Sequence, residues 1–333
     1  MSLKFIVDDN IPFIKGRLEP FAEVVYTDQF GFTPELIKGA DALIIRTRTR
    51  CDESLLKDSS VKLIATATIG MDQIDLEYCN AKKIIVRNSP GCNAPAVAQY
   101  VWSALLRKGF DYKNSTLGVI GCGNVGSIVT EWCGHLGTRV LVNDPPKFER
   151  GELNFEHKNL PKLLSNADAV TIHAPLIKGG GHPTFHLIGA KELSLMKRGA
   201  ILVNAARGPV INTPDVVDAL KKGKIRAIID TWEGEPVPDK NLLKMADYAT
   251  FHIAGYSLEG KQRATRMVLE SVAETFGISP DLSGLAPDYT PKESLSAQEI
   301  IDSYDPEIDT APLRENPEQF DILRRNYNFR EEV

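Results

Sequence analysis

Long apolar stretches and a strong excess of charge are both absent from this sequence. No uninterrupted apolar run approaches the ~20 residues that a membrane-spanning helix needs, so we expect no membrane partner. A formal net charge of −5 over 333 residues gives no reason to expect nucleic acid as a partner. A hydrophobic content of 43% and a charged content of 25% are ordinary for a globular protein with packed hydrophobic cores.

Cysteine is scarce and irregularly spaced. The five cysteines are odd in number and include no CxxC pair, which argues against a disulfide framework and favours reduced thiols in a cytosol. The N-terminal stretch leads directly into a predicted strand and lacks a signal peptide, so we expect a cytoplasmic protein. His182 and His186 have HxxxH spacing, but the glycines and proline around them indicate a loop, and we predict no metal site.

The most informative stretch is STLGVIGCGNVG, residues 115–126, where an apolar run stops at a series of glycines. Gly121, Gly123 and Gly126 have the GxGxxG spacing that lets a chain turn tightly, approach a pyrophosphate and begin a helix close to a sheet. The segment 127–136 has helical apolar spacing. This order predicts a dinucleotide-binding loop, although a lone GxGxxG is also found in ordinary turns.

The residues beside these glycines define the expected cofactor. Asn124 and Val125 complete the predicted loop, and the helix dipole would face the phosphates. A second apolar run, 139–142, leads to Asp144, where such folds place a carboxylate that accepts hydrogen bonds from the adenosine ribose. A carboxylate would repel a 2′-phosphate, so the sequence predicts NAD rather than NADP.

Apolar runs that alternate with helical segments predict an α/β protein with parallel sheets. Predicted strands are 3–7, 41–46, 61–67, 83–88, 168–174, 200–206, 225–230 and 248–253, and long predicted helices are 93–108, 213–224 (with Thr213 as cap) and 257–276. We predict a doubly wound NAD-binding domain at 93–256, a split substrate domain at 1–92 and 257–280, and a tail at 281–333. The tail is either extended over the surface or an arm that helps a dimer form.

Three reactive side chains follow predicted strands of the nucleotide-binding half. They are Arg207 in VNAARGPV, Glu235 in IDTWEGEP and His252 in TFHIAGYSLEG. Taken singly, each fits an ordinary surface or structural role. Together they suit the oxidation of a 2-hydroxy acid, because arginine binds a carboxylate bidentately, histidine exchanges a proton near neutral pH and a carboxylate orients the imidazole.

The same blocks resemble the D-isomer-specific 2-hydroxyacid dehydrogenase family over roughly residues 1–277. The resemblance rests on GxGxxG with Asp144, on ELSLMKRGAILVNAARGPVINTPDVVDALKKGKI, on DTWEGEP and on the His-Ile-x-Gly segment. It implies a Rossmann NAD domain inserted in a smaller flavodoxin-like α/β domain, and catalytic roles for Arg207, Glu235 and His252. A homodimer is also implied.

Several further segments are similar to a branch of the family that acts on a small phosphorylated 2-hydroxy acid. They are FIVDDNIPF, ATATIGMDQID, NSPGCNAPAVAQYVWSALL, NDPP and HIAGYSLEGK. The resemblance implies substrate contacts by Thr47, Thr68 and Tyr256, and NAD contacts by Ala206, Asp230 and Gly255. Phe251 departs from the proline that is common before the catalytic histidine, and the tail is shorter than is usual in that branch.

A phosphorylated substrate needs cations, and the stretch RTRTR, residues 46–50, follows a predicted strand. We therefore add Arg46 to the predicted substrate-binding residues; a solvated charged edge is the alternative. Two other functions stay open: another D-2-hydroxyacid dehydrogenase, for instance one that acts on 3-phosphoglycerate, and a non-catalytic NAD-sensing protein on the same fold.

Overall fold

The computed structural model describes residues 2–333 and divides the chain into two compact units. The first comprises the chain up to Asn93 together with Leu258–Tyr289, and the second comprises Ala94–Ser257 together with Thr290–Val333. In the described range, no helix is long and apolar enough to cross a membrane. All five cysteines are free and buried.

The first unit is a parallel sheet of five strands in the order β2-β1-β3-β4-β5, which is the flavodoxin-like order. Its strands are β1 Leu3–Asp8, β2 Ala22–Thr27, β3 Ala42–Ile45, β4 Leu63–Thr66 and β5 Ile85–Arg87. Its helices are α1 Pro34–Ile37, α2 Glu53–Leu56, α3 Leu76–Ala81 and α11 Leu258–Phe276.

Alternate side chains of these strands fill two separate cores, one on each face of the sheet. Phe5 and Ile44 lie in the core that includes Val268 of α11. Ile6 and Leu43 lie in the opposite core. A parallel sheet covered on both faces requires nearly continuous apolar strands, which is why β1, β3 and β4 were visible in the sequence. The edge strand β2 is only partly buried and was not predicted.

The second unit contains a parallel sheet of six strands in the order β11-β10-β9-β8-β6-β7. Its strands are β6 Thr116–Ile120, β7 Arg139–Asn143, β8 Ala169–Ile172, β9 Ala200–Asn204, β10 Ile225–Ile229 and β11 Tyr248–Ala249. The chain runs from β6 to β7 at one edge of the sheet and then crosses back to β8 on the other side of β6. The strand order therefore reverses between β6 and β8. Ligands of doubly wound folds bind at such a switch point, beyond the carboxyl ends of the strands.

Helices cover this second sheet. They are α4 Ala94–Arg107, α5 Asn124–Leu136, α6 Pro145–Glu149, α7 Leu160–Asn166, α8 Ala190–Leu195, α9 Thr213–Lys221, α10 Lys240–Met245, α12 Ala297–Ser303, α13 Glu307–Glu315 and α14 Phe320–Arg325. The α/β fold with a Rossmann-like nucleotide domain and parallel sheets is therefore confirmed.

The C-terminal part of the chain differs from an extended tail. Residues 281–289 belong to the first unit, whereas 290–333 belong to the second and form α12, α13 and α14. Ser296 caps α12 in a capping box with Glu299, a signal that was present in the sequence and was missed. Ile300, Leu313 and Phe320 are fully buried, so this segment is part of the packed core.

Two local predictions also need correction. Helix α9 is capped by Asn212, whose side chain accepts a hydrogen bond from the Asp215 amide, and Thr213 is the first helical residue. The strand predicted over 248–253 contains only Tyr248 and Ala249. It stops early because the amides that follow, those of Ile253 and Ala254, donate to the Asp230 carboxylate instead of to a strand.

Candidate active site

The turn of the glycine loop after β6 is set by the close approach of Gly121 and Gly126 to backbone atoms. Gly121 has φ +84°, and a Cβ there would lie 2.8 Å from the Ala174 nitrogen. A Cβ on Gly126 would lie 2.0 Å from the Gly121 carbonyl oxygen, so the loop and α5 approach too closely for any other residue. At Gly123, by contrast, a Cβ would meet no atom of the described chain within 4 Å. The loop is therefore packed tightly against the protein at Gly121 and Gly126, and it leaves free space at Gly123.

This loop fits a dinucleotide. Gly123 precedes α5 and offers no side-chain cap, so the first N–H groups of the helix, at Asn124 and Val125, point to where a pyrophosphate would lie. Beside them, the carboxylate of Asp144 accepts hydrogen bonds from the Cys122 amide (2.8 Å) and the Lys147 amide (3.0 Å). Asp144 is thereby fixed next to the loop, where a carboxylate is suited to a ribose.

Asp230, another predicted cofactor contact, holds the loop after β11. Its buried carboxylate accepts from the Thr250 hydroxyl (2.6 Å) and from the amides of Ile253 (2.8 Å) and Ala254 (3.0 Å). Tyr100 lies 2.8 Å from the Thr250 hydroxyl and extends this buried network. The early end of β11 follows, since these amides bind a side chain instead of a strand.

Two further predicted cofactor contacts lie in the loops after β9 and β11. The amide of Ala206 donates to the Asn204 side chain at 3.2 Å, which fixes the loop after β9. Gly255 lies half-buried in the turn that follows Ala254. Whether either residue contacts NAD stays a prediction.

His252 and Glu235 form the central pair of the site. The Nδ1 atom of His252 lies 2.8 Å from Oε2 of Glu235, and the other carboxylate oxygen accepts from the Trp232 amide at 2.8 Å. His252 has φ +60°, an uncommon conformation for a residue with a side chain, and its amide donates to the Asp230 carbonyl at 2.8 Å. The imidazole is thus held from both its ring and its backbone.

The electrostatics of the pair set the state of each partner. Burial alone would raise the pKa of Glu235, but His252, the Trp232 amide and the charge of Arg324 together lower this pKa below its ordinary value. Glu235 is therefore ionised at neutral pH and can only accept. The proton between the two groups must belong to Nδ1, which leaves Nε2 of a neutral His252 as a proton acceptor.

Arg207 lies in a loop that packs against the segment carrying Glu235. Its extended backbone precedes the 3-10 helix Gly208–Val210, and a Cβ on Gly208 would lie 1.9 Å from the Trp232 carbonyl carbon. Trp232 in turn donates its indole N–H to the Thr250 carbonyl at 2.8 Å. The loops of Arg207, Glu235 and His252 are therefore contiguous at one edge of the second sheet.

The C-terminal segment holds the loop of His252, which sequence reasoning missed. The guanidinium of Arg330 donates to the carbonyls of Ile253 and Tyr256, both at 3.1 Å, and to that of Ala254. Ser257 donates to the Glu332 carboxylate at 2.7 Å. No periodicity marks Arg330 in the sequence, because the carbonyls that it holds in this loop lie more than seventy residues away.

Tyr256, a predicted substrate contact, is surrounded by aromatic and cationic side chains of the same segment. Tyr327 and Phe329 meet its ring edge-on, with centroids 5.9 Å and 6.2 Å away. The Cζ atom of Arg324 lies 5.5 Å from the centroid of the Tyr256 ring.

The remaining predicted substrate residues belong to the first unit. Arg46 pairs through Nε with Oδ2 of Asp8 at 3.1 Å, and Asp8 is fully buried. Thr47 is exposed in the turn after β3. The hydroxyls of Thr66 and Thr68 are 2.7 Å apart. The roles of these residues in substrate binding stay predictions.

His182 and His186 are each paired with a carboxylate. His182 lies 3.0 Å from Glu149, and His186 lies 2.7 Å from Glu233. Burial lowers the pKa of His173 to about 3, so this residue is neutral beside the glycine loop. Among the described residues, no group of three or more His, Cys, Asp or Glu side chains could hold a metal ion.

Comparisons with known proteins agree with this geometry. Residues 85–254 match the family model described as "D-isomer specific 2-hydroxyacid dehydrogenase, NAD binding domain". The chain is 43% identical to the erythronate-4-phosphate dehydrogenase of Bacteroides fragilis, over 99% of this chain and 97% of that protein. It is 36% identical to the enzyme of that name from Escherichia coli, over 99% of this chain and 92% of that protein.

Solved structures of other members share the fold. A D-lactate dehydrogenase from Aquifex aeolicus complexed with NAD and lactic acid is 27% identical, with a TM-score of 0.68, and covers 83% of this chain and 96% of its own. An NAD+-bound 3-phosphoglycerate dehydrogenase from Entamoeba histolytica is 27% identical, with a TM-score of 0.70, over 87% and 100%. This chain belongs to the D-isomer-specific 2-hydroxyacid dehydrogenase family and is an NAD-dependent dehydrogenase.

Proposed function

We propose that this protein oxidises 4-phospho-D-erythronate at C2 to 2-oxo-3-hydroxy-4-phosphobutanoate, a step of pyridoxal 5′-phosphate (vitamin B6) biosynthesis. One observation carries the proposal: the chain matches erythronate-4-phosphate dehydrogenases over almost its full length, including the C-terminal segment that holds the loop of His252. The 2.8 Å pair of His252 and Glu235 supplies the proton acceptor that this reaction requires.

NAD, when bound, would supply the acceptor for the hydride that leaves C2 of the substrate. The chain itself handles the proton: Nε2 of His252 takes it from the C2 hydroxyl as the carbonyl forms. Glu235 fixes the tautomer through Nδ1 and stabilises the imidazolium that results. The C2–H bond and the O–H bond are broken, one carbon–oxygen double bond is formed, and two electrons leave with the hydride.

The other assigned residues bind and orient. Arg207 holds the substrate carboxylate through its planar fork and polarises the developing carbonyl. Thr47, Thr68 and Tyr256 contact the substrate, and Arg46 supplies positive charge for the phosphate. On the cofactor side, Asp144 binds the ribose, and the glycine loop with Asn124 and Val125 binds the pyrophosphate. Ala206, Asp230 and Gly255 complete the NAD contacts.

A substrate panel tests this assignment. Rates of NADH formation would be measured with 4-phospho-D-erythronate, D-erythronate, 3-phospho-D-glycerate and D-lactate. We expect kcat/KM for 4-phospho-D-erythronate to exceed each of the others by at least about 100-fold, since a site built for two anions loses affinity when one is absent or misplaced. A preference for 3-phosphoglycerate would instead make the protein a different dehydrogenase of the family.

A non-catalytic NAD-sensing role is the alternative of another class. It predicts tight NAD binding in calorimetry together with no turnover of any 2-hydroxy acid in the panel. The ionised Glu235 beside His252 favours the enzyme, because a sensor has no need of an oriented proton acceptor.

The protein is also proposed to be a cytoplasmic homodimer. Ile308 and Ile322 on the C-terminal helices are 70% and 55% exposed, which supports an interface on that segment. Sedimentation velocity on the full chain would give the mass of a dimer; a monomer at micromolar concentration would contradict the proposal.

A further inference from the structure

The proposed substrate carries two anionic groups at opposite ends. Its carboxylate has one charge and its phosphate has about 1.5 to 2 near neutral pH, so a second strong cation is needed besides Arg207. Arg46, proposed above as a cation for the phosphate, and the neighbouring Arg50 each pair with a carboxylate, so only part of their charge is available to the phosphate. Arg46 balances the charge of the fully buried Asp8, and Arg50, with its side chain 82% exposed, pairs with Asp52 at 2.6 Å.

Arg324 on α14 is placed differently. Its guanidinium lies 5.5 Å from the centroid of the Tyr256 ring, beside the loop of His252. Its Nε atom is buried and makes no hydrogen bond within residues 2–333, while the guanidinium is hydrogen-bonded to the Tyr256 side chain. A buried N–H donor without an acceptor is costly in an empty site, and it is satisfied when a ligand supplies an oxygen.

The charges around Arg324 keep it a cation. Burial alone would lower the pKa of Arg324, but Tyr256, Glu235 and Asp230 together raise it above its ordinary value. Neither carboxylate is available as a full partner, because Glu235 is paired with His252 and Asp230 accepts three hydrogen bonds from its own loop. The guanidinium therefore retains capacity for an anion.

The position of Arg324 is fixed by the rest of the C-terminal segment. Tyr327 meets the ring of Phe251 edge-on at 6.1 Å, and Arg330 binds the carbonyls on either side of Gly255. The lactate and 3-phosphoglycerate dehydrogenase structures cover 83–87% of this chain while covering at least 96% of their own, so part of this chain has no counterpart in them. The unmatched share is about as long as residues 290–333, whereas the match to the Bacteroides fragilis erythronate-4-phosphate dehydrogenase covers 99% of this chain.

We propose that Arg324 is a further substrate-binding residue, which takes the phosphate group of the substrate from the C-terminal segment. The inference rests on the proposed function for the identity of the substrate, and it adds a specificity-determining cation to that site. The segment would then distinguish this protein from relatives that bind smaller or singly charged 2-hydroxy acids.

The test compares Arg324→Gln with Arg325→Gln, a neighbouring arginine that is exposed on the same helix. For Arg324→Gln we expect KM for 4-phospho-D-erythronate to rise by about 100-fold, the effect of removing one partner of a buried charge pair. KM for D-erythronate should change by less than about 3-fold, because that substrate has no phosphate. Arg325→Gln should behave as the unaltered protein, and Arg324→Lys should recover part of the loss.

Phosphate binding gives a second readout that needs no turnover. Calorimetric titration of inorganic phosphate into the full chain, saturated with NAD, should give weaker binding for Arg324→Gln than for Arg325→Gln, while thermal unfolding and NAD affinity stay alike. Equal losses on the two substrates, or phosphate affinity that is unaltered in Arg324→Gln, would overturn the inference. Failure of the unaltered protein to oxidise 4-phospho-D-erythronate would contradict the proposed function alone, and the phosphate titration would still decide on Arg324.

Discussion

The loop after β6 and the loop after β11 follow strands of the same sheet and are stabilised in different ways. The first takes its shape from glycines, and the closest contacts of Gly121 and Gly126 are with backbone atoms. The second runs from His252 to Ser257 and is fixed by side chains from distant parts of the chain, namely Asp230, Arg330 and Glu332. NAD binding thus depends on the absence of side chains at Gly121 and Gly126. Proton transfer depends on the side chains that hold the loop of His252.

Because the two loops are stabilised differently, their contributions to NAD binding and to turnover can be measured separately. The dissociation constant of NAD reports on the loop after β6, and kcat reports on the loop after β11. Variants in one loop should alter one quantity and spare the other.

The largest effect is expected for His252→Ala. Removal of a general base lowers kcat by about 10³-fold or more, while NAD affinity should remain within a few-fold of its original value. Steady-state rates and calorimetry measure the two quantities. His182→Ala, which removes an imidazole paired with Glu149, is the control and should leave both unchanged. A kcat near that of the unaltered protein would rule out His252 as the base.

Gly126→Ala tests the loop after β6. The added Cβ would lie 2.0 Å from the Gly121 carbonyl oxygen, so the loop must move. Overpacking of this kind costs about 1–3 kcal/mol, and we expect NAD to bind up to about 100-fold more weakly.

The control for this variant is Gly134→Ala in the same helix, where a Cβ would meet no described atom within 4 Å. It should raise the free energy of unfolding by up to about 1 kcal/mol through helix propensity and leave NAD affinity alone. If both alanines weaken NAD binding equally, the tight approach at Gly126 is not what forms the loop.

Arg330→Ala tests the loop after β11 from its far end. Loss of the guanidinium frees the carbonyls of Ile253 and Tyr256, and a misplaced His252 should lower kcat by about 30-fold with NAD affinity unaltered. Guanidinium ion added at millimolar concentration should restore part of the rate. Glu331→Ala, at an exposed neighbouring side chain, should have no effect. A change in NAD affinity alone would show that the two loops are not separate.

The smallest effect concerns acid stability. The pKa of Glu235 is lowered in the folded protein, so the ionised carboxylate stabilises the fold above its unfolded value of 4.5, and this contribution is lost as pH falls through the lowered folded value. We expect the difference in Tm between the unaltered protein and Glu235→Gln to shrink by about 3 °C as pH is lowered from 4.5. A difference that stays constant between pH 5 and 3 would contradict a lowered pKa.

The same comparison explains what sequence reasoning predicts well. Continuous apolar strands, GxGxxG and Asp144 are local signals, because the physical requirements of a parallel sheet and a tight turn fall within a few neighbouring residues. The fold class and the cofactor could therefore be predicted, whereas the edge strand β2, which is only partly buried, was missed. The capping box of Ser296 and Glu299 was equally local, and it would have predicted α12.

The long-range part of the site could not be predicted in the same way. Arg330 donates hydrogen bonds to carbonyl oxygens, which every residue has. The residue types near His252 therefore give no indication that an arginine binds there. The early end of β11 depends on the Asp230 carboxylate, which competes with the strand for the amides of Ile253 and Ala254. Such contacts follow from three-dimensional packing and leave no periodic pattern.

The hydrogen bonds from Arg330 to the loop of His252 also determine the order in which parts of the site form during synthesis. A ribosome that has just added His252 has yet to synthesise the residue that holds its loop, and at about 5–20 residues per second this delay lasts roughly 4–16 s. The glycine loop needs only neighbours that have already been made. A growing chain can therefore acquire its nucleotide fold first, and the geometry for proton transfer is completed later.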